Sequence, residues 1–115
     1  MSEILDVSDS TFKREVLEAG LPVFVWFWAP WSGPCKYIWP LVEEVLQDYL
    51  GRIKAFKLDT DQNPSIASEY DIRHLPTFII FKNGEPVETL QKAEKVTKTT
   101  LSTTLQKYIQ HDWEV

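Results

Sequence analysis

The segment WSGPCK at residues 31–36 contains the residues whose type and spacing point most directly to chemistry. Two cysteines separated by two residues form a dithiol redox site, in which one thiolate attacks a disulfide and the second thiol resolves the mixed disulfide. Here Ser32 holds the first position, and Cys35 is the one cysteine of the chain. Because a hydroxyl forms no disulfide, the segment keeps half of the groups that a dithiol site needs.

The composition of the chain is that of a single globular domain. Its 115 residues are 43% hydrophobic and 25% charged, which is enough apolar material for a core without suggesting disorder. We expect residues 1–115 to form one domain, with 1–3 and 111–115 as candidate flexible ends. A single cysteine excludes an intramolecular disulfide and fits a reducing, cytoplasmic compartment.

Charge and hydropathy argue against two classes of partner. The net charge is −5, whereas nucleic acids and anionic membranes select basic patches. The longest apolar run, residues 22–31, contains two prolines and is too short to span a bilayer. No charged segment followed by an apolar one predicts a signal peptide. We therefore expect neither a nucleic-acid partner nor a membrane partner.

The strand pattern predicts a central sheet with helices on both faces. The runs VFVWFWA and TFIIF are almost wholly apolar, which is typical of strands buried on both sides. The Asn83-Gly84 turn predicts an antiparallel return strand at the edge. The five predicted strands are 4–7, 23–29, 53–59, 77–81 and 87–91.

Helical periodicity fills the segments between these strands. Apolar residues recur at spacings of three and four, and helix-capping residues or glycines stand at several of the expected ends. The four predicted helices are 8–19, with Ser8 or Ser10 as its cap, 34–50, a short one after Asn63, and 97–109. The chain is therefore predicted to have an α/β fold, with a central mixed sheet of about five strands flanked by about four helices.

Two stretches resemble the thioredoxin family. FWAPWSGPCK, residues 27–36, is similar to the thioredoxin active-site segment, whose usual form is Trp-Cys-Gly-Pro-Cys-Lys. Residues 57–85 are also similar to thioredoxins, and most of all to the m-type proteins of chloroplasts and cyanobacteria. The resemblance covers nearly the whole chain. It implies the thioredoxin fold, thiol–disulfide exchange without a cofactor, and a cyanobacterial cytoplasm or chloroplast stroma as the location.

The resemblance also assigns roles to individual residues. Ser32 stands at the attacking cysteine and Cys35 at the resolving thiol, which is either reactive or a small buried core residue. The other residues that match the family's substrate groove are the exposed aromatic Trp31, the turn residues Gly33 and Pro34, and the cis-proline segment Leu75-Pro76-Thr77. In the family, the backbone of the cis-proline segment pairs with a bound substrate strand.

Besides Ser32, the chain departs from the family pattern at Trp26 and at the pair Gln91-Lys92. Trp26 stands where the family has a buried Asp that helps to move a proton from the resolving thiol. Lys57 matches the basic neighbour of that Asp, so it must reach solvent or pair elsewhere, with Asp59 and Asp61 as candidates. The pair Gln91-Lys92 replaces an apolar residue and a glycine in the substrate groove. There, Lys92 either changes the choice of partner or reflects drift on an exposed loop.

Other chemistry has little support in the sequence. His74 and His111 are far apart, and no Cys/His spacing suggests zinc, so we expect no metal site. His74 precedes the cis-proline segment and is either a base near Cys35 or a solvated loop residue.

Three functions stay open at this point. The first is a diverged thioredoxin, without dithiol turnover, that binds protein clients at the cis-proline groove. The second is an enzyme that uses Cys35 alone and forms a mixed disulfide with a protein or glutathione. The third is an engineered Cys-to-Ser form of an active protein-disulfide reductase. We expect a monomer, with a thioredoxin reductase as a partner if the cysteine pair is restored.

Overall fold

A computed structural model describes residues 4–91 and 96–109 of the chain. Strands alternate with helices up to a final hairpin and a closing helix. The elements are β1 (Leu5–Asp6), a π-helical segment (Lys13–Leu17), β2 (Val23–Trp28), α1 (Gly33–Gln47), β3 (Lys54–Asp59), α2 (Pro64–Glu69), β4 (Thr77–Lys82), β5 (Glu85–Gln91) and α3 (Lys98–Tyr108). The predicted α/β architecture is confirmed.

The five strands form one mixed sheet in the order β1-β3-β2-β4-β5. β1, β3 and β2 run parallel, whereas β4 and β5 are antiparallel to their neighbours. β2 lies in the centre, and its residues Val23–Phe27 are all buried. The apolar run from which this strand was predicted thus reflects a strand covered on both faces.

Alternation along β2 divides the core into two layers. Phe24 and Trp26 point to the face that also contains buried residues of α1 and α3. Val25 and Phe27 point to the other face, where they pack with Val16 of the π-helical segment and with α2. Because side chains alternate along a strand, one sequence run supplies both layers.

One edge of the sheet collects the segments that carry the candidate site. Phe27, near the end of β2, lies opposite Thr77, the first residue of β4. Thr77 in turn lies opposite Gln91, the last residue of β5. The loop that follows β2 and the segment that precedes β4 therefore meet at this edge.

The first predicted helix is wrong in both length and type. In place of residues 8–19, a π-helical segment covers Lys13–Leu17, and no side chain caps it. The Ser8 hydroxyl instead contacts the hydroxyls of Ser10 at 3.0 Å and Thr11 at 3.1 Å. Hydroxyl groups that bond to close neighbours compete with helix formation, which explains why the helix begins late.

The remaining boundaries differ from the predictions by a few residues. α1 ends at Gln47 and not at residue 50, and β5 begins at Glu85, two residues earlier than predicted. The candidate flexible ends, 1–3 and 111–115, and also Lys92 and His111, lie outside the described residues. Within the described ranges, no helix has the length and apolar character needed to cross a bilayer.

Candidate functional site

Ser32 forms the cap at the N-terminus of α1. Its hydroxyl oxygen accepts a hydrogen bond from the Cys35 N–H at 3.4 Å, and its own N–H donates to the Ala29 carbonyl at 3.1 Å. Serine is a preferred N-cap residue, and Pro34 suits the first helical turn because its missing N–H would have no partner there. The Ser32 hydroxyl therefore has a structural partner at the helix terminus.

Neither the Ser32 hydroxyl nor the Cys35 thiol is open to solvent. Ser32 is 4% exposed and Cys35 is 0% exposed. Cys35 belongs to the same apolar cluster as Trp26 and Ile38. A reagent or substrate can reach the Cys35 thiol only when this part of the structure opens locally.

Three stacked indoles, Trp28, Trp26 and Trp39, lie in or against the apolar cluster that contains Cys35, and we call them the indole stack. The centroid of the Trp26 ring lies 4.3 Å from that of Trp39, with an interplanar angle of 12°. It lies 5.7 Å from that of Trp28, with an interplanar angle of 23°. Phe78 of β4 stacks on Trp26 at 6.5 Å. Trp26 is 5% exposed, so an apolar ring occupies the position and supplies no group that accepts a proton.

Two of the three indoles carry a buried N–H group. The Nε1 atoms of Trp26 and Trp28 have no hydrogen-bond acceptor among the described residues. A buried donor without an acceptor costs about 1–3 kcal/mol, and the area of the stacked rings offsets this cost. This part of the site is therefore built for packing.

Lys57 pairs with Asp6 across the sheet. Its Nζ atom lies 3.9 Å from an Asp6 carboxylate oxygen, because the β1–β3 register places the two residues side by side. The same ammonium lies 5.6 Å from the Trp28 ring centre and 5.9 Å from that of Trp39. The Lys57 side chain is 30% exposed, so contact with aromatic rings, a carboxylate and solvent replaces the missing buried Asp.

The candidate partners Asp59 and Asp61 have other contacts. Asp59 accepts a hydrogen bond from the Asp61 N–H at 2.9 Å, and Asp61 accepts one from the Trp31 indole at 3.2 Å. Neither carboxylate forms an ion pair with Lys57. Asp6 was not among the predicted partners of Lys57, because its pairing depends on the register between the first strand and β3.

Trp31 is the exposed aromatic residue of the site. It is 71% exposed, as predicted, while its indole N–H donates to Asp61. This hydrogen bond was missed from the sequence. The available signal was that Asp61 follows β3, whose last residue pairs with the last residue of β2 at the same edge of the sheet.

The cis-proline segment lies at this edge. The Leu75–Pro76 peptide bond is cis, as expected from the resemblance. Pro76 and Thr77 are buried, whereas Gln91, opposite Thr77, is exposed. The Thr77 hydroxyl donates to the His74 carbonyl at 2.5 Å.

Several predicted site residues therefore meet at one edge of the sheet. We keep the name cis-proline groove for Trp31, Leu75, Pro76, Thr77 and Gln91, because these residues match the family's substrate groove by resemblance. Gly33 and Pro34 are exposed beside it at the start of α1.

The geometry of the described residues supports neither His74 as a base for Cys35 nor a metal site. His74 is exposed and makes no hydrogen bond to Cys35, which favours a solvated loop residue over a base. Across residues 4–91 and 96–109, no group of three or more His, Cys, Asp or Glu residues is placed to hold a metal ion.

Comparison with known proteins finds matches that cover nearly the whole chain. A family model described as Thioredoxin matches residues 3–107. Thioredoxin 1 of Nostoc sp. is 52% identical over 109 residues, which cover 95% of this chain and 100% of the relative. Thioredoxin of Synechocystis sp. is 51% identical over the same shares of both chains. The chloroplastic M-type thioredoxin of Spinacia oleracea is 48% identical over 95% of this chain and 59% of the relative.

These findings confirm the predicted similarity to cyanobacterial and chloroplast m-type proteins, and they agree with the five-stranded mixed sheet and its flanking helices. The chain belongs to the thioredoxin family.

Proposed function

We propose that this thioredoxin-family protein binds clients in a redox setting without running a dithiol cycle. The observation that carries the proposal is the helix cap. Ser32 occupies the position of the attacking group, and its hydroxyl accepts the Cys35 N–H. Cys35 is the one cysteine of the chain and is buried. One buried thiol and one hydroxyl cannot be oxidised to an internal disulfide.

Electron balance excludes turnover as a reductase that uses only the thiols of this chain. Reducing a substrate disulfide takes two electrons, which a dithiol supplies when its two sulfurs join in a disulfide. A single thiol can only exchange into a mixed disulfide, from which a second, external thiol must release it. The complete burial of Cys35 weighs against this monothiol route, because the thiol must first become accessible.

The binding role rests on the groove. Trp31 is an exposed aromatic ring held at its indole nitrogen, and Gln91 is exposed on the facing strand. Aromatic anchors of this kind are enriched in protein interfaces. By family resemblance, the backbone of the cis-proline segment would pair with an extended client strand. Lys92, the residue after β5, would then influence which clients are accepted.

The rest of the proposal follows the family. Thioredoxins act on protein disulfides and are reduced by thioredoxin reductase. We infer that the chain is one domain and a monomer, in a cyanobacterial cytoplasm or a chloroplast stroma. A reductase would become a partner of this chain only if the cysteine pair were restored.

An insulin-reduction assay tests the catalytic half of the proposal. The protein is expected to reduce insulin disulfides no faster than a blank with dithiothreitol alone, because no internal disulfide can form. The Ser32→Cys variant is expected to form a disulfide with Cys35. It is nevertheless expected to turn over on the order of 10²-fold more slowly than Nostoc thioredoxin 1, because Trp26 cannot accept a proton.

The matched control is Ser32→Cys combined with Cys35→Ser, which places one thiol at the attacking position and should not turn over. If the unaltered protein reduced insulin disulfides at a rate well above the blank, the proposal would be contradicted. If Ser32→Cys instead reduced insulin as fast as Nostoc thioredoxin 1, the missing sulfur would be the only change that prevents turnover. That result would favour an inactivated or engineered reductase.

Thiol labelling separates the binding role from the monothiol enzyme. In the folded protein, Cys35 is expected to react with an aromatic disulfide reagent at least about 100-fold more slowly than in denaturant, because labelling requires local opening. The control combines Cys35→Ser with Lys36→Cys, which moves the thiol to the next, exposed position of the same helical turn. Equal labelling rates at the two positions would restore the monothiol route.

A further inference from the structure

A groove of about 440 Å³ lies at the end of the sheet opposite the cis-proline groove. Its walls come from the segment before β2, the turn after α1, the β4–β5 turn and the end of α3. β2 is six residues long, so about 20 Å separates this groove from the edge at Ser32. We call it the cationic groove because Arg52 and Lys82 line it.

The charge of this groove differs from that of the surrounding surface. The whole chain has a net charge of −5, yet none of the described residues that line the cationic groove carries a carboxylate side chain. Three other grooves of the described surface each contain at least one carboxylate, as with Asp59, Asp48 and Glu15. Glu85 lies opposite Lys82 in the β4–β5 register but forms no ion pair with it and does not line the groove. Two cations with no carboxylate among the described lining residues raise the local concentration of anions.

Arg52 is held in a fixed orientation. One of its terminal nitrogens donates to the Asp48 carbonyl at 2.8 Å, and its guanidinium lies 5.3 Å from the Tyr49 ring centre. A guanidinium carries five N–H donors in a planar fork, so donors remain after this contact. Lys82 forms no ion pair with a described residue. Both cations are therefore able to bind an external anion.

Backbone groups add further donors. The N–H groups of Gly20, Leu21 and Gly51 donate no hydrogen bond to another described residue. Gly51 has a φ of 97° and Asn83 a φ of 55°, so both turns that border the groove use the left-handed conformation. Exposed N–H groups at turns of this kind are common anion contacts.

The remaining wall is apolar and aromatic. Leu21 is 38% exposed, and Pro22 lies next to it. The Tyr108 hydroxyl donates to the Val87 carbonyl at 3.2 Å, which fixes the ring beside the groove. A ligand that satisfies both halves of the groove has an anionic group and a flat apolar part.

We propose that the cationic groove binds a small phosphate monoester, with the phosphate between Arg52 and Lys82 and an apolar group against Leu21 and Tyr108. The site is separate from the chemistry at Ser32 and Cys35. It gives the protein a second binding surface, for a small anion in place of a protein client.

Amide NMR shifts during titration with phenyl phosphate test the proposal directly. The shifts are expected to saturate and to centre on the amides of Gly20, Leu21, Gly51 and Asn83. Inorganic phosphate, which lacks the apolar part, is expected to bind the same amides about tenfold more weakly. Equal affinities for the two probes would overturn the role of the Leu21–Tyr108 wall. Shifts that rise linearly or spread over the surface would overturn the site.

Two variants locate the phosphate. Lys82→Gln, and separately Arg52→Gln, are each expected to weaken phenyl phosphate binding at least about fivefold. Lys54→Gln is the matched control, because Lys54 is also exposed but lines a groove that contains Glu15. If Arg52→Gln disturbs the turn after α1, Lys82→Gln alone decides, since Lys82 is exposed at the end of β4. Equal effects at Lys82 and Lys54 would show general charge attraction and contradict the proposal.

Discussion

Replacing Trp26 with alanine is expected to lower the free energy of unfolding by about 3–5 kcal/mol. Trp26 is 5% exposed and lies in the middle of the indole stack, in contact with rings on α1 and on two strands. The change removes the largest type of side chain from a position where the surroundings cannot close the space. Urea denaturation followed by circular dichroism gives the loss directly.

Two further variants separate packing from other effects. Trp31→Ala removes the same side chain from a position that is 71% exposed, and its effect is expected to stay within about 0.5 kcal/mol. Trp26→Phe keeps an aromatic ring and removes the buried N–H, so it should cost less than half as much as Trp26→Ala. Similar losses for Trp26→Ala and Trp31→Ala would contradict the packing account.

Asp9→Ala is expected to destabilise the fold by about 1.5–3 kcal/mol, which is large for a residue that is not buried. The Asp9 carboxylate accepts hydrogen bonds from the N–H groups of Ser65 at 3.2 Å and Ile66 at 2.9 Å. In return, the Asn63 side chain accepts the Asp9 N–H at 3.0 Å. These contacts join the segment after β1 to the first turn of α2. Thermal and urea unfolding both measure the loss.

Two control variants separate the hydrogen bonds of Asp9 from the effect of its charge. Asp9→Asn keeps one oxygen acceptor and is expected to cost about half as much as Asp9→Ala. Asp48→Ala removes a carboxylate from the C-terminal end of α1, where the helix dipole disfavours an anion, and should be neutral or slightly stabilising. If Asp48→Ala destabilised the protein as much as Asp9→Ala, net charge and not the contact with α2 would be responsible.

Periodicity and turn chemistry were sufficient for most of the fold. The apolar run at 23–29 predicted the central strand, and Asn83-Gly84 predicted the hairpin that the structure shows between β4 and β5. These signals are local, since each depends on residues that are neighbours along the chain. The cis bond at Pro76 was expected from the family resemblance alone.

The features that the sequence did not reveal depend on long-range contacts. The pair of Lys57 and Asp6 depends on which strands are neighbours and in what register. The shortened first helix depends partly on Asp9, which contacts α2 more than fifty residues away in the chain. Each tryptophan of the indole stack is visible in the sequence, but the order in which the rings stack is fixed by α1 packing on the sheet.

The indole stack also constrains how this protein could evolve. If an ancestor carried the family's carboxylate at position 26, a return to it now means giving up several kcal/mol in one step. The free energy of unfolding of a small domain is only about 5–15 kcal/mol. Selection would therefore remove that mutation before a restored cysteine could make it useful. A cysteine at position 32 gained first would meet a tryptophan where the proton acceptor should be. Each reversal is unfavourable without the other, so the packing of three rings makes the loss of the dithiol cycle difficult to undo.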